Sequence, residues 1–191
     1  GGKTWTPINT KRKHVDDHAM AFHPTDPDFV LMGSDGGIYM SHDRMANWRF
    51  MANLPLTQFY KVAPDDSTPF YKIYAGAQDN STQGGPSRTM REEGIKNKDW
   101  FLTLGGDGHG PATEPGNPDI VYSQWQQGNL TRVDMKTREG VYIKPQPLPG
   151  EPAERYNWDA PINVSAHDPA RIYFASQRVW RSDDRGDSWT A

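Results

Sequence analysis

Cysteine is absent from the 191 residues of the chain, which excludes disulfides, thiolate nucleophiles and Cys-ligated zinc. Its absence leaves the compartment open. No apolar run approaches the roughly 20 residues that cross a bilayer as a helix, so no membrane segment is expected. Charge of one sign is also lacking: 21 Lys and Arg against 24 Asp and Glu give a formal net charge of −3. That balance offers no electrostatic case for nucleic acid or an anionic surface. The long Ala, Leu, Glu and Lys runs of a helical bundle are missing too, and no segment holds helical periodicity.

What the chain has instead is glycine (18), proline (16) and an aromatic fraction of 12%. One unit recurs: a short strand, a Pro-bearing turn, a β-branched or aromatic strand, then a Gly-marked third strand. His18-Ala19-Met20-Ala21-Phe22 leads through Pro24 and Pro27 to Phe29-Val30-Leu31-Met32, and Gly36-Gly37-Ile38-Tyr39-Met40 follows. Later copies pass through Glu114-Pro115-Gly116-Asn117-Pro118-Asp119 into Ile120-Val121-Tyr122-Ser123, and through Ala166-His167-Asp168-Pro169-Ala170-Arg171 into Ile172-Tyr173-Phe174-Ala175. A degenerate copy runs from Phe59-Tyr60-Lys61-Val62-Ala63-Pro64 to Tyr71-Lys72-Ile73-Tyr74-Ala75. Proline sits in the turns because it cannot donate to a sheet ladder. The copies recur about every 40–50 residues, the size of a four-stranded propeller blade. The expected fold is therefore all-β: a β-propeller of four-stranded antiparallel blades, about four of them in one domain over residues 1–191. Their expected spans are approximately 14–53, 54–105, 106–150 and 155–191. Residues 84–99 read as an insertion in the second blade, and 145–152 as a Pro-rich connection between the third and fourth.

A more specific motif follows the third strand of a blade. Ser182-Asp183-Asp184-Arg185-Gly186-Asp187-Ser188-Trp189 fits S-x-D-x-G-x-[ST]-W at each fixed position. Ser41-His42-Asp43-Arg44-Met45-Ala46-Asn47-Trp48 keeps Ser, Asp and Trp but has Met45 for Gly, and Gly2-Lys3-Thr4-Trp5 matches the back half of a third copy. These stretches resemble the Asp-box, or BNR, repeat of sialidases, xyloglucanases and sortilin-like proteins. The Asp carboxylate is expected to accept N–H groups of its own turn, Gly to permit positive φ, and Trp to pack between blades. The boxes thus speak for architecture rather than chemistry. The chain opens inside one box without Met or a signal peptide and closes just after another. Residues 4–9 could supply the outer strand of the last blade. The expectation is nonetheless a segment of a larger secreted, periplasmic or cell-surface protein, whose neighbouring blades or second copy cover the open edges.

Strand direction sorts the polar residues. In an antiparallel blade, the start of the first strand and the loop after the second share one rim. Asp16-Asp17-His18, Ser34-Asp35-Gly36-Gly37, Gln78-Asp79-Asn80, Gly106-Asp107-Gly108-His109 and Asn157-Trp158-Asp159 all fall there, where propeller ligands commonly bind. His23 and His167 fall beside the Pro turns at the other end and read as structural. The run Gly33-Ser34-Asp35-Gly36-Gly37-Ile38-Tyr39 looks like the segment that carries a catalytic Asp in xyloglucanases. That resemblance implies Asp35 as an acid or base of glycoside hydrolysis, with Asp79 and Asp107 as candidate partners. Hydrolysis needs two carboxylates about 5–5.5 Å apart for retention or about 6.5–9.5 Å for inversion.

Asp16, His18, His109, Trp158 and Asp159 are the candidate ligand-binding residues, and Tyr60, Trp100 and Trp125 could add stacking surface for a sugar or peptide. The acid and imidazole groups lack any diagnostic metal spacing and the EF-hand pattern is missing, so no metal and no cofactor is expected. No G-x-S-x-G elbow is present for serine chemistry. Carbohydrate binding or hydrolysis on the rim is the leading expectation, and noncatalytic peptide or protein capture, as in sortilin-like propellers, is the alternative.

Overall fold

The computed structural model describes residues 2–191. It contains fifteen strands and a single turn of 3-10 helix at Asn97–Asp99. The chain divides into two compact units, one ending at Thr57 and one formed by Gln58–Ala191.

The first unit carries one antiparallel sheet of four strands, β1 (Asp17–Phe22), β2 (Val30–Ser34), β3 (Gly37–Ser41) and β4 (Arg49–Phe50), in sequential order. The second carries three. One is β5 (Lys61–Pro64), β6 (Lys72–Gly76), β7 (Thr82–Pro86) and β8 (Phe101–Leu104), and the next is β9 (Ala112–Glu114), β10 (Asn117–Trp125), β11 (Asn129–Asp134) and β12 (Gly140–Tyr142). The last has β13 (Ile162–Val164), β14 (Ile172–Ala175) and β15 (Val179–Ser182), with a single bridge from Arg181 to Thr190 in the fourth position. Each sheet is a meander in which consecutive strands pair, the signature of a propeller blade. The fold is therefore an all-β propeller architecture. Residues 4–9 form no strand.

Period-two alternation explains which side chains go inside. Val30, Met32, Tyr39 and Trp48 make the core of the first unit. In the second, Tyr74 of β6 meets Val121 and Val133 of the next blade, while Tyr122, Leu130 and Ile143 meet Ile172 and Phe174 of the last. Strand β10 is buried on both faces from Val121 to Gln124, as a strand between two packed neighbours must be. Polar clasps tie the same blades. Thr113 Oγ1 donates to Pro64 O at 2.7 Å, and Arg185 reaches both oxygens of buried Glu114 at 2.7 Å each.

The two S-x-D turns are the same object. Ser182 Oγ accepts from Asp184 N (3.2 Å) and Gly186 N (2.7 Å), while the Asp184 carboxylate accepts from Ser188 N and Oγ. Ser41 Oγ likewise accepts from Asp43 N and Met45 N, and the Asp43 carboxylate from Asn47 N and Nδ2. The indoles finish the motif: Trp189 Nε1 donates to Ile143 O of the preceding blade, and Trp48 Nε1 to Asn9 O, both at 2.8 Å. Met45 adopts φ 69° where Gly186 adopts 94°. Methionine therefore tolerates the left-handed position that glycine takes in the complete box.

One expectation needs correction. Residues 84–86 belong to β7 rather than to the insertion, which occupies the stretch between β7 and β8. The glycines there make room for rings. A Cβ on Gly84 would lie 2.7 Å from Phe101, and one on Gly85 2.6 Å from Trp100. Trp100, just before β8, thereby covers β7.

Candidate functional site

The rim residues divide between the two units, and each group is gathered by the connections that the meander puts at one end. In the first unit, Asp35 N donates to Asp16 O at 3.2 Å, which brings the β2–β3 turn against the entry to β1. His18 Nε2 meets Asp35 Oδ1 at 2.5 Å, with the imidazole mostly exposed and the carboxylate mostly covered. Asp16 N donates to His14 Nδ1 at 3.2 Å. Behind them Lys13 is buried, its Nζ donating to both Asp17 oxygens at 2.6 and 2.7 Å and to His14 O at 2.6 Å. Asp16, His18 and Asp35 thus do share one end of a sheet. His23 instead closes the Pro turn, its Nδ1 accepting from Asp26 N at 3.0 Å.

The second unit gathers more. The loop before β9 lies against β6 because two glycines let it: a Cβ on Gly76 would stand 1.8 Å from His109 O, and one on Gly108 2.3 Å from Ser81 O. Gly108 N donates to Ala77 O and His109 N to Gln124 O. Asp107 is buried and its Oδ1 accepts Asp79 N at 2.9 Å. That bond fastens the β6–β7 loop to the next blade, so Asp107 serves as a loop anchor. Asp79 takes φ 55° beside it. A cleft of about 490 Å³ opens at this junction, lined by Asp79, Asp107, Leu104, Trp125 and Gln126.

His109 is the centre of the arrangement. It is fully buried, with Tyr60 stacked on its ring (centroids 5.0 Å apart, planes 18° apart) and Trp158 edge-on at 6.1 Å. Tyr60 and Trp158 are each 48% exposed, so both are covers that also face solvent. Tyr60 O–H donates to Gln78 Oε1. Asp159 Oδ2 pairs with Lys61 Nζ at 3.0 Å, while its Oδ1 lies 4.0 Å from His109 Nδ1. Burial holds the His109 imidazole below its usual range against the pull of Asp159 and Asp107. The ring is therefore neutral near pH 7, with one N–H donor and one acceptor nitrogen.

Of the sequence candidates, His109, Trp158 and Asp159 come together, with Tyr60 completing the group. Asp79 and Asp107 meet through a backbone bond, and Asp35 belongs to the other unit. Lys61 and Gln124 escaped the sequence reading. The signal for Gln124 was available: an amide inside the apolar run from Ile120 to Trp125 must be satisfied, and its Nε2 donates to Gly110 O (3.0 Å) and Ala160 O (2.9 Å). Lys61 offered no signal, being one of many charged residues at a strand start.

No family model matches the chain, and no curated protein matches it. Solved structures do. YCF48 bound to D1 peptide matches at 13% identity over 100% of this chain and 57% of that one, with a TM-score of 0.46. An ancestral GH74 enzyme matches at 15% identity over 99% of this chain and 25% of that one, with a TM-score of 0.47. The GH74 xyloglucanase from Xanthomonas campestris matches at 18% identity over 92% and 29%, with a TM-score of 0.44. The chain spans less than two-thirds of each of these neighbours.

Proposed function

We propose that this chain is an Asp-box (BNR) propeller that binds a carbohydrate at the loop end of its second unit and does not hydrolyse it. The observation that carries the reading is the meeting of Tyr60, His109 and Trp158, drawn from three blades, with two half-exposed rings over a buried polar group. Flat aromatic faces beside hydrogen-bonding groups suit a ligand with apolar C–H faces and polar edges, which is the chemistry of a pyranose. The box assignment is supported by the matched hydrogen bonding of the turns after Ser41 and Ser182. Binding is favoured over turnover because two of the three carboxylates nominated for catalysis are engaged, Asp107 by Asp79 N–H and Asp35 by His18, and Asp35 belongs to the other unit.

Calorimetry of the chain against xyloglucan heptasaccharide, cellohexaose and 3′-sialyllactose tests this, with product analysis of the same mixtures. The expected result is saturable binding to a saccharide, weakened about tenfold in Trp158→Ala, and no new reducing ends. Release of product, lost in Asp35→Asn, would establish hydrolysis instead. Capture of peptides from a random library, with no saccharide bound, would establish a peptide-binding propeller.

A further inference from the structure

At and beside His109, four buried polar atoms of the described residues have no hydrogen-bond partner: His109 Nδ1 and Nε2, Asp159 Oδ1 and Gln124 Oε1. Buried polar atoms are almost always satisfied, and each exception asks for an absent water, ion or ligand group. Two of these atoms face each other. His109 Nδ1 and Asp159 Oδ1 are 4.0 Å apart, too far for a direct hydrogen bond. An oxygen placed about 2.8 Å from each would bridge them with an angle of about 90° at that oxygen.

The chemistry of the two sides selects the bridging group. It must donate to a carboxylate oxygen and share a hydrogen bond with a neutral imidazole nitrogen. An anionic oxygen cannot donate and would be repelled by Asp159. An ammonium group could donate, but Lys61 Nζ already stands 3.0 Å from the other oxygen of that carboxylate and would repel a second cation. A neutral hydroxyl meets both demands, giving its proton to Asp159 Oδ1 and accepting from His109 Nδ1–H. The surroundings match: Trp158 stands at the edge of the His109 ring, and Tyr60 covers its face.

We propose that the His109–Asp159 gap receives one hydroxyl of the bound saccharide and is the point at which the rim distinguishes that sugar from its deoxy analogue. The inference rests on the carbohydrate-binding reading above and deepens it. Entry requires a shift of Tyr60 or Trp158, since His109 is fully covered while both rings are half exposed. Trp158 supplies contact area for whichever sugar enters, and the gap supplies selectivity. A site built around a ligand hydroxyl rejects the analogue that lacks it, because its own buried groups are then left unpaired.

The test uses protein labelled with ¹⁵N-histidine and the saccharide, among the three named above, that binds most tightly. Long-range ¹H–¹⁵N spectra are expected to show His109 as the Nδ1–H tautomer, with its Nδ1 signal moving on saturation. Calorimetry is expected to give a Kd about 10- to 100-fold weaker in Asp159→Asn. Monodeoxy analogues of the bound sugar are expected to lose a similar factor at one position only. Binding that is weakened about tenfold by Trp158→Ala while the His109 signal stays still and Asp159→Asn stays within twofold overturns this inference and leaves the rim reading standing. Binding of none of the saccharides removes both. The wild-type spectrum keeps the proposal falsifiable even if Asp159→Asn fails to fold.

Discussion

Removing Arg185 tests how the last two blades are held together. Its guanidinium donates through Nε and Nη2 to the two oxygens of Glu114, each at 2.7 Å. The Glu114 side chain is 2% exposed and the Arg185 side chain 41%. Arg185→Ala leaves a buried carboxylate with one remaining side-chain donor, Asn117 Nδ2 at 2.9 Å. Breaking a buried pair from one side costs about 3–5 kcal/mol, and the partial exposure of the arginine lets water in, so about 2–4 kcal/mol is expected here. The left-handed backbone at position 185 (φ 60°) strains alanine as it strains arginine and cancels from the difference. Glu114→Gln keeps the shape and neutralises the buried acid, and should cost about 1–2 kcal/mol. The double variant should fall short of the sum of the two by more than about 1 kcal/mol. Urea unfolding followed by tryptophan fluorescence measures all three. Loss of less than about 0.5 kcal/mol in Arg185→Ala, with additive behaviour in the double variant, would refute the clasp.

Gly76→Ala should destabilise the second unit by about 3 kcal/mol or displace the 108–110 loop, because the new methyl would lie 1.8 Å from His109 O; thermal melting and loss of saccharide binding check it. Hydrogen bonds from Ser188 and Ser182 hold Asp184 at a pKa of about 2, below its ordinary 3.8. Its contribution to stability is complete above pH 3.8 and is lost as pH falls toward about 2, so Asp184→Asn should melt lower than wild type at pH 5 and lose less on acidification to pH 2. His109 has a lowered pKa, so the unfolded chain binds its proton first: its contribution is present above pH 6.5 and declines as pH falls below it. Histidine ring shifts should place its midpoint below 6.5, and a midpoint above 6.5 would contradict the burial argument.

The blades were legible because their determinants are local. Proline can occupy few strand positions, so Pro27 and Pro169 mark turns, whereas Pro118, expected in a turn, lies in β10 just after the Pro115-Gly116 turn. The alternation in Ile172-Tyr173-Phe174 sets which face is buried. The S-x-D turns were legible for the same reason: donor and acceptor lie within a few residues of each other. Strand direction also placed His109, Trp158 and Asp159 at one rim. The role of Asp107 was less visible, since a loop anchor and a catalytic acid have the same local sequence, and only the 2.9 Å bond from Asp79 N separates them. Gly84 and Gly85 read as the start of an insertion because nothing in their neighbourhood along the chain announces the rings of Phe101 and Trp100 that lie over them. Lys61 became part of the site through Asp159, almost a hundred positions away, a pairing that no periodicity encodes.

Ring-proton Overhauser contacts in protein labelled at histidine, tyrosine and tryptophan test the central claim most directly. Cross-peaks from His109 to both Tyr60 and Trp158 are expected from centroid separations of 5.0 and 6.1 Å. A His109 ring with contacts to neither would mean that the three blades do not converge there, and the proposed binding site would have no floor.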